Sequence, residues 1–234
     1  MTQERVRELL AKAGAIIEGH FVGTSGNHMS VYVAKDRATR LTSVVAELCI
    51  GIAELFYTDE IEAVVAPATG GIPLSQWTAH HLNRLNFNRP EVLALYSEYD
   101  ETPIDSKNIS FPMLEGEKAF VRSSEFVLRR GFAQDVRGKR VLEVEDILTT
   151  GGSARKTAEA IIAAGGKLVG LGVLANGGNV KAVDCSAPRL EALMTVERQM
   201  FTEAECADHG LCARGVPINT DFGHGKTFLA KQKR

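Results

Sequence analysis

Between residues 61 and 175 of this 234-residue chain, short apolar runs alternate with segments of helical period. "IEAVVAP" (61–67), "EVLALYSEY" (91–99), "EFVLRRGF" (125–132), "KRVLEVED" (139–146) and "KLVGLGVLA" (167–175) read as strands. Helices are expected over 42–57, with Thr42 or Ser43 as cap, over about 73–85, and over 152–164, the last stopped by Gly165 and Gly166. Strands separated by helices of about 10–16 residues cannot be joined as hairpins, so they imply a mostly parallel sheet with helices on both faces. The expected fold class is α/β. Before this block, residues 2–18 place Val6, Leu9, Leu10, Ala13, Ile16 and Ile17 at a helical period, and "SVYVAKD" (30–36) reads as a short strand. After it, "LEALMTVERQ" (190–199) reads as one more.

Ligands of such sheets sit beyond the carboxyl ends of the strands. One of those ends carries an unusual junction. "VLEVEDILTTGGSARKTAEAI" (141–161) runs from an apolar strand through two acids, two threonines, two glycines and a serine directly into a helix. A helix N-terminus offers unpaired N–H groups and the positive end of the helix dipole. Glycines let the backbone close on an anion and hydroxyls add donors, so "TTGGS" suits a phosphate. Glu145 and Asp146 would repel one. A ribose 5-phosphate satisfies both halves, with its 2′ and 3′ hydroxyls on the acids and its phosphate on Thr149, Thr150, Gly151, Gly152 and Ser153. The plainer reading of the loop is a capped βα turn. Neither the G-x-x-x-x-G-K-[ST] loop nor the G-x-G-x-x-G fingerprint is present.

Composition narrows the partners. The net charge is −2 with acids and bases mixed along the chain, which argues against nucleic acid as the main partner. No apolar run approaches the ~18 residues of a membrane span, and the charged N-terminus does not read as a signal peptide. Four scattered cysteines fit a reduced, cytoplasmic compartment.

"VLEVEDILTTGGS" resembles the phosphoribosyl pyrophosphate (PRPP) signature of type I phosphoribosyltransferases: an apolar strand, two acids, two variable residues, then T-T-G-x-S/T. "GHFVGTSGNHMSVYV" (19–33), "APATGGIPLS" (66–75) and "LRRGF" (128–132) are similar, in order, to segments of the orotate-specific branch. The resemblance implies a single domain over 1–234. In it, residues 1–40 and about 185–234 form a small hood over the main sheet. It also implies transfer of the 5-phosphoribosyl group of PRPP to a nitrogen base, with Mg²⁺ held mainly by PRPP itself and no protein ligand named. A homodimer is implied too.

Within that reading Glu145 and Asp146 are the catalytic acids, offsetting charge that develops on the ribose. Ala68, Thr69, Gly70 and Gly71 would present N–H groups to pyrophosphate; the rival is a glycine-rich strand-ending turn. Arg129 and Arg130 would be the basic pair of the PRPP site, or ordinary surface arginines, and as strand residues they would face opposite ways. Residues 99–124 would form a lid that excludes water, or a disordered insertion. That segment has "SEYDE" (97–101) where relatives carry bases, leaving Lys107, Lys118 and Arg122. Tyr32 would stack on the base or pack in the core.

The base is open at this stage. Ser25, Gly26, Tyr32, Thr149 and Asn176 are the base-binding candidates. The strand 168–175 ends in Ala175-Asn176, with no arginine until Arg189, where orotate enzymes typically place one. Either backbone N–H groups around Ser25–Asn27 with Lys35 or another arginine hold orotate's carboxylate, or the base is neutral and read by the Asn176 amide. A regulator that binds PRPP without turnover is the non-enzymatic alternative. Glu143 interrupts a buried strand, and a polar contact at a helix or subunit interface is expected for it. The tail "ECADHGLCARGVPINTDFGHGK" (205–226) holds Cys206, His209, Cys212 and His224. Its C-x₂-H-x₂-C spacing departs from paired zinc motifs, and a metal-free packed tail is expected.

Overall fold

The computed structural model describes residues 1–23, 25–85, 89–103 and 120–232. Its centre is a six-stranded sheet of order β5-β4-β3-β6-β7-β8. The strands are β3 (Ala63–Pro67), β4 (Leu93–Pro103), β5 (Phe120–Val127), β6 (Arg140–Leu148), β7 (Lys167–Asn176) and β8 (Leu190–Thr195). All neighbouring pairs are parallel except β4 with β5, an antiparallel edge. The α/β expectation holds. Helices α1 (Gln3–Lys12), α3 (Thr42–Phe56) and α4 (Ile72–Leu85) cover one face, where Leu9, Leu48, Ile52 and Leu74 pack with Leu142 and Val144 of β6. Helix α6 (Gly152–Ala163) covers the other, where Ile161 meets Val65, Leu95 and Val141. Two short helices, α2 (Lys35–Thr39) and α5 (Phe132–Asp135), lie in connections.

A second, three-stranded sheet of order β1-β2-β9 joins the hairpin β1 (Ile16–Val22) and β2 (His28–Val33) to β9 (Met200–Phe201). Helices α7 (Glu203–Asp208) and α8 (Gly225–Gln232) follow it. No helix among the described residues is long and apolar enough to cross a membrane.

Several element readings differ from expectation, among them the strand over 30–36, which ends at Val33 so that Lys35 opens α2. The helix expected over 2–18 stops at Lys12, because Gly14 adopts φ +63° and Ala15 N–H turns back to Leu10 O. Ile16 and Ile17 then pair with Val33 and Tyr32 as strand. Helix α3 starts at Thr42 as expected, but the residue before it, Leu41, provides no side-chain cap. The strand expected over 125–132 ends at Val127, and Arg129–Gly131 form a turn in which Arg130 has φ +61°. Residues 100–103 and 120–124, expected to be irregular, extend β4 and β5 into a ribbon that pairs Pro103 with Phe120. Lys107, Lys118 and the rest of 104–119 lie outside the described residues.

Candidate active site

Strand β6 delivers Glu145 and Asp146 to the carboxyl edge of the sheet, where they are 6 % and 2 % exposed. Asp146 N–H donates to Glu145 Oε1 at 3.0 Å, and Ile147 N–H donates to Asp146 Oδ1 at 2.7 Å, so the backbone orients both carboxylates. Lys35, at the start of α2, reaches in from the hood side and sets Nζ 2.8 Å from Asp146 Oδ2. Burial holds the Glu145 carboxyl well above the usual carboxylate range, and the neighbouring Asp146 charge adds to the shift. Burial also opposes the Lys35 charge, but Asp146 and Glu145 outweigh it and raise its pKa.

The chain then turns through Thr149 and Thr150 into α6. Gly151, at φ +76°, makes the turn; a Cβ there would meet Cys185 Sγ at 2.8 Å and Val180 Cγ1 at 3.0 Å, so the position is closed to other residues. No side chain caps α6, and Gly152 and Ser153 line the adjoining cavity with the helix's first turn. This is the geometry of an anion cradle.

Two cavities meet here. One, of about 370 Å³, runs from the acids to the loop Ala68–Gly71, all four of whose residues line it. A Cβ on Gly70 would lie 2.9 Å from Asp146 Oδ2 and 3.0 Å from Lys35 Nζ, so this loop stands directly against the ion pair. The other, of about 490 Å³, extends from Asp146, Thr149, Thr150 and Ser153 to the hood, where Ser25, Asn27 and Tyr32 line it. Lys35, Asp146, Thr149 and Ser153 line both. The Tyr32 ring does face the second cavity, yet it also packs between Phe21 and Phe222 at 5.4 and 5.6 Å.

Other candidates lie elsewhere. Arg129 binds Asp100 at 2.6 Å and Glu101 O at 3.0 Å, and Arg130 lies 3.7 Å from Glu98; neither lines either cavity. Glu98 and Asp100 of "SEYDE" thus pair with this arginine turn. Gly26 lines neither cavity, although its neighbours do. Asn176 latches its own loop, donating to Val180 O at 2.8 Å and accepting from Val180 N–H at 3.1 Å, and it too lines neither. His209 is exposed beside Asp208, and His224 lines the larger cavity; neither stands with Cys206 and Cys212. The interface contact expected for Glu143 is not formed: the residue is fully buried and neither carboxylate oxygen has a hydrogen-bond partner among the described residues.

Arg198 is the residue that sequence reasoning missed. It follows β8 and lines the larger cavity at its hood end. Its Nη1 touches Met29 Sδ at 3.4 Å, while its Nε and Nη2 are buried without a hydrogen-bond partner among the described residues. Burial lowers its pKa. Nothing in "TVERQM" marks it; only the return of the chain after β8 to pair β9 with β2 brings it there.

A parallel sheet whose inner strand ends in buried acids, and whose next helix opens on a glycine-bent hydroxyl loop, defines the class of type I phosphoribosyltransferases. Residues 37–188 match the phosphoribosyl transferase domain family, and the chain belongs to it. Its relatives include the orotate phosphoribosyltransferases of Pelotomaculum thermopropionicum, 33 % identical over 93 % of this chain and 95 % of that protein, and of Desulforamulus reducens, 30 % identical over the same shares. A crystal structure of the Mycobacterium tuberculosis orotate phosphoribosyltransferase shares the fold, with a TM-score of 0.58 at 21 % identity over 83 % of this chain and 96 % of that one.

Proposed function

We propose that this phosphoribosyltransferase acts on orotate, converting PRPP and orotate to orotidine 5′-monophosphate and pyrophosphate in pyrimidine nucleotide synthesis. The 5′-phosphate takes the first turn of α6 with Thr149, Thr150 and Ser153. The ribose hydroxyls take Glu145 and Asp146, and pyrophosphate takes the Ala68–Gly71 loop. In the reaction the bond from ribose C1 to a pyrophosphate oxygen breaks and a bond from C1 to the base nitrogen forms, with loss of that nitrogen's proton. Glu145 and Asp146 offset the positive charge that spreads over the ribose, and Lys35 stands between them and the departing pyrophosphate.

A divalent cation fits this floor: Glu145 and Asp146 face a single lysine charge, and a bound cation would favour the ionised Glu145 that burial disfavours. Mg²⁺, carried mainly on PRPP oxygens and water, would neutralise the leaving group. A homodimer belongs to the same proposal, and sedimentation velocity tests it.

The observation that carries orotate over a neutral base is Arg198. A cation with two buried donors that have no partner among the described residues, at the hood end of the cavity, calls for an anionic ligand, and orotate's carboxylate supplies one. The measurement is kcat/KM for orotate beside uracil at saturating PRPP. Orotate is expected to be preferred by at least ~10³-fold, since a site built around a charged group rejects the analogue lacking it. Arg198→Gln is expected to raise the KM for orotate at least ~10-fold with the KM for PRPP little changed. A preference for uracil overturns orotate and leaves the phosphoribosyltransferase class standing.

A further inference from the structure

Behind the hood wall, on the side away from the PRPP site, four side chains from two distant parts of the chain converge. His20 Nε2 lies 3.6 Å from Cys206 Sγ and 3.8 Å from Cys212 Sγ, and His28 Nδ1 lies 3.6 Å from Cys212 Sγ. All four donor atoms fall within 4.8 Å of one another; His20, His28 and Cys206 are buried and Cys212 is partly so. With zinc bonds of about 2.3 Å to sulfur and about 2.05 Å to nitrogen, a tetrahedron has sulfur–nitrogen edges of roughly 3.6 Å. The three distances match that edge. We propose that His20, His28, Cys206 and Cys212 bind a structural zinc ion that fastens the N-terminal hairpin to the C-terminal segment.

The surroundings orient the ligands as a metal site requires. His20 Nδ1 is 2.7 Å from Val216 O; donating there fixes the tautomer that leaves Nε2 free as a ligand. Cys212 N–H donates to Cys206 Sγ at 3.2 Å, which stabilises a thiolate. A register shift between Glu18 and Phe21 in β1 breaks the strand's alternation and turns His20 to the inner side beside Phe21. Two thiols and two imidazoles whose donor atoms converge within 4.8 Å select zinc over hard cations.

The two imidazoles are joined by a hydrogen bond. Their facing nitrogens are 2.7 Å apart, shorter than the roughly 3.3 Å edge of a zinc tetrahedron. Zinc would spread them by a small ring rotation. His28 Nε2 is buried without a hydrogen-bond partner among the described residues, and the His28 ring stands edge-on to Phe228 at 5.0 Å.

Purification under reducing conditions without metal-affinity steps, followed by elemental analysis, is expected to yield about one zinc per chain, as a closed four-ligand site holds its ion. Replacement by Co²⁺ is expected to produce the visible bands and sulfur charge-transfer absorption of a tetrahedral cobalt thiolate. Cys212→Ser should abolish both signals, and the intact chain's cobalt spectrum stands even if that variant fails to fold. His209→Ala and His224→Ala should retain the zinc. An intact, reduced chain that holds neither zinc nor thiolate-bound cobalt overturns the site. Loss of zinc in His209→Ala or His224→Ala with retention in His20→Ala overturns the ligand set. These readouts do not depend on the base the enzyme uses.

Discussion

Asp146→Asn is expected to leave the fold intact and to cut turnover by at least ~10²-fold, the scale on which removal of one preorganised electrostatic group acts. The substitution keeps shape and keeps an oxygen that can accept from Ile147 N–H. It removes the charge that, in the proposed reaction, faces the ribose. The loss of the ion pair is tolerable for folding because the Lys35 side chain is 43 % exposed and can be solvated, while Asp146 is 3 % exposed and becomes neutral. A thermal melt beside steady-state kinetics separates the two effects. A rate close to wild type would remove Asp146 from the catalytic role.

Glu143→Leu is expected to stabilise the protein by about 1–3 kcal/mol, the cost of burying a polar group without a hydrogen bond. Glu143 lies on β6 between Val65 and Leu171 of the flanking strands, wholly out of solvent. Burial first, and the neighbouring Glu145 second, push its carboxyl well above the ordinary value of 4.5. The folded protein therefore keeps a proton that the unfolded chain releases above that value. Stability is fully present below 4.5 and falls as pH rises toward the raised folded value. Denaturant titrations at several pH values between about 5 and 8 should show this decline in the wild type and a smaller one in Glu143→Leu and Glu143→Gln. Lower stability of Glu143→Leu at every pH would mean that a buried water holds the carboxyl.

What was legible in the sequence was what is local. The run from Val141 to Ile161 contains a strand, its acids, the loop and the helix in contiguous order, so reading it as one unit placed Glu145, Asp146, Thr149, Thr150, Gly152 and Ser153 together, while Gly151 makes the turn and lines neither cavity. The same holds for Ala68–Gly71. What was hidden depends on contacts far apart in sequence. Ile16 and Ile17 fit a helical period, but β2 pairs with them. Arg129 and Arg130 read as strand because nothing local announced a left-handed Arg130. Cys206 and Cys212 have their neighbours in His20 and His28, not in the nearer His209 and His224. Arg198 enters the cavity only because the segment after β8 folds back along β2.

The hood also sets an order of assembly. Its middle strand, β2, has one neighbour just before it in the chain and another far behind: Met29 pairs with Phe21 on one side and Met200 on the other. The main sheet is complete once β8, ending at Thr195, has been made. A nascent chain leaving the ribosome can therefore close its main sheet and the Thr149–Ser153 turn while the hairpin still lacks its last partner. The larger cavity is finished last. A product truncated after Thr195 would retain every strand of the large sheet and lose Arg198, Met200, Gly223 and His224 from the lining of the larger cavity.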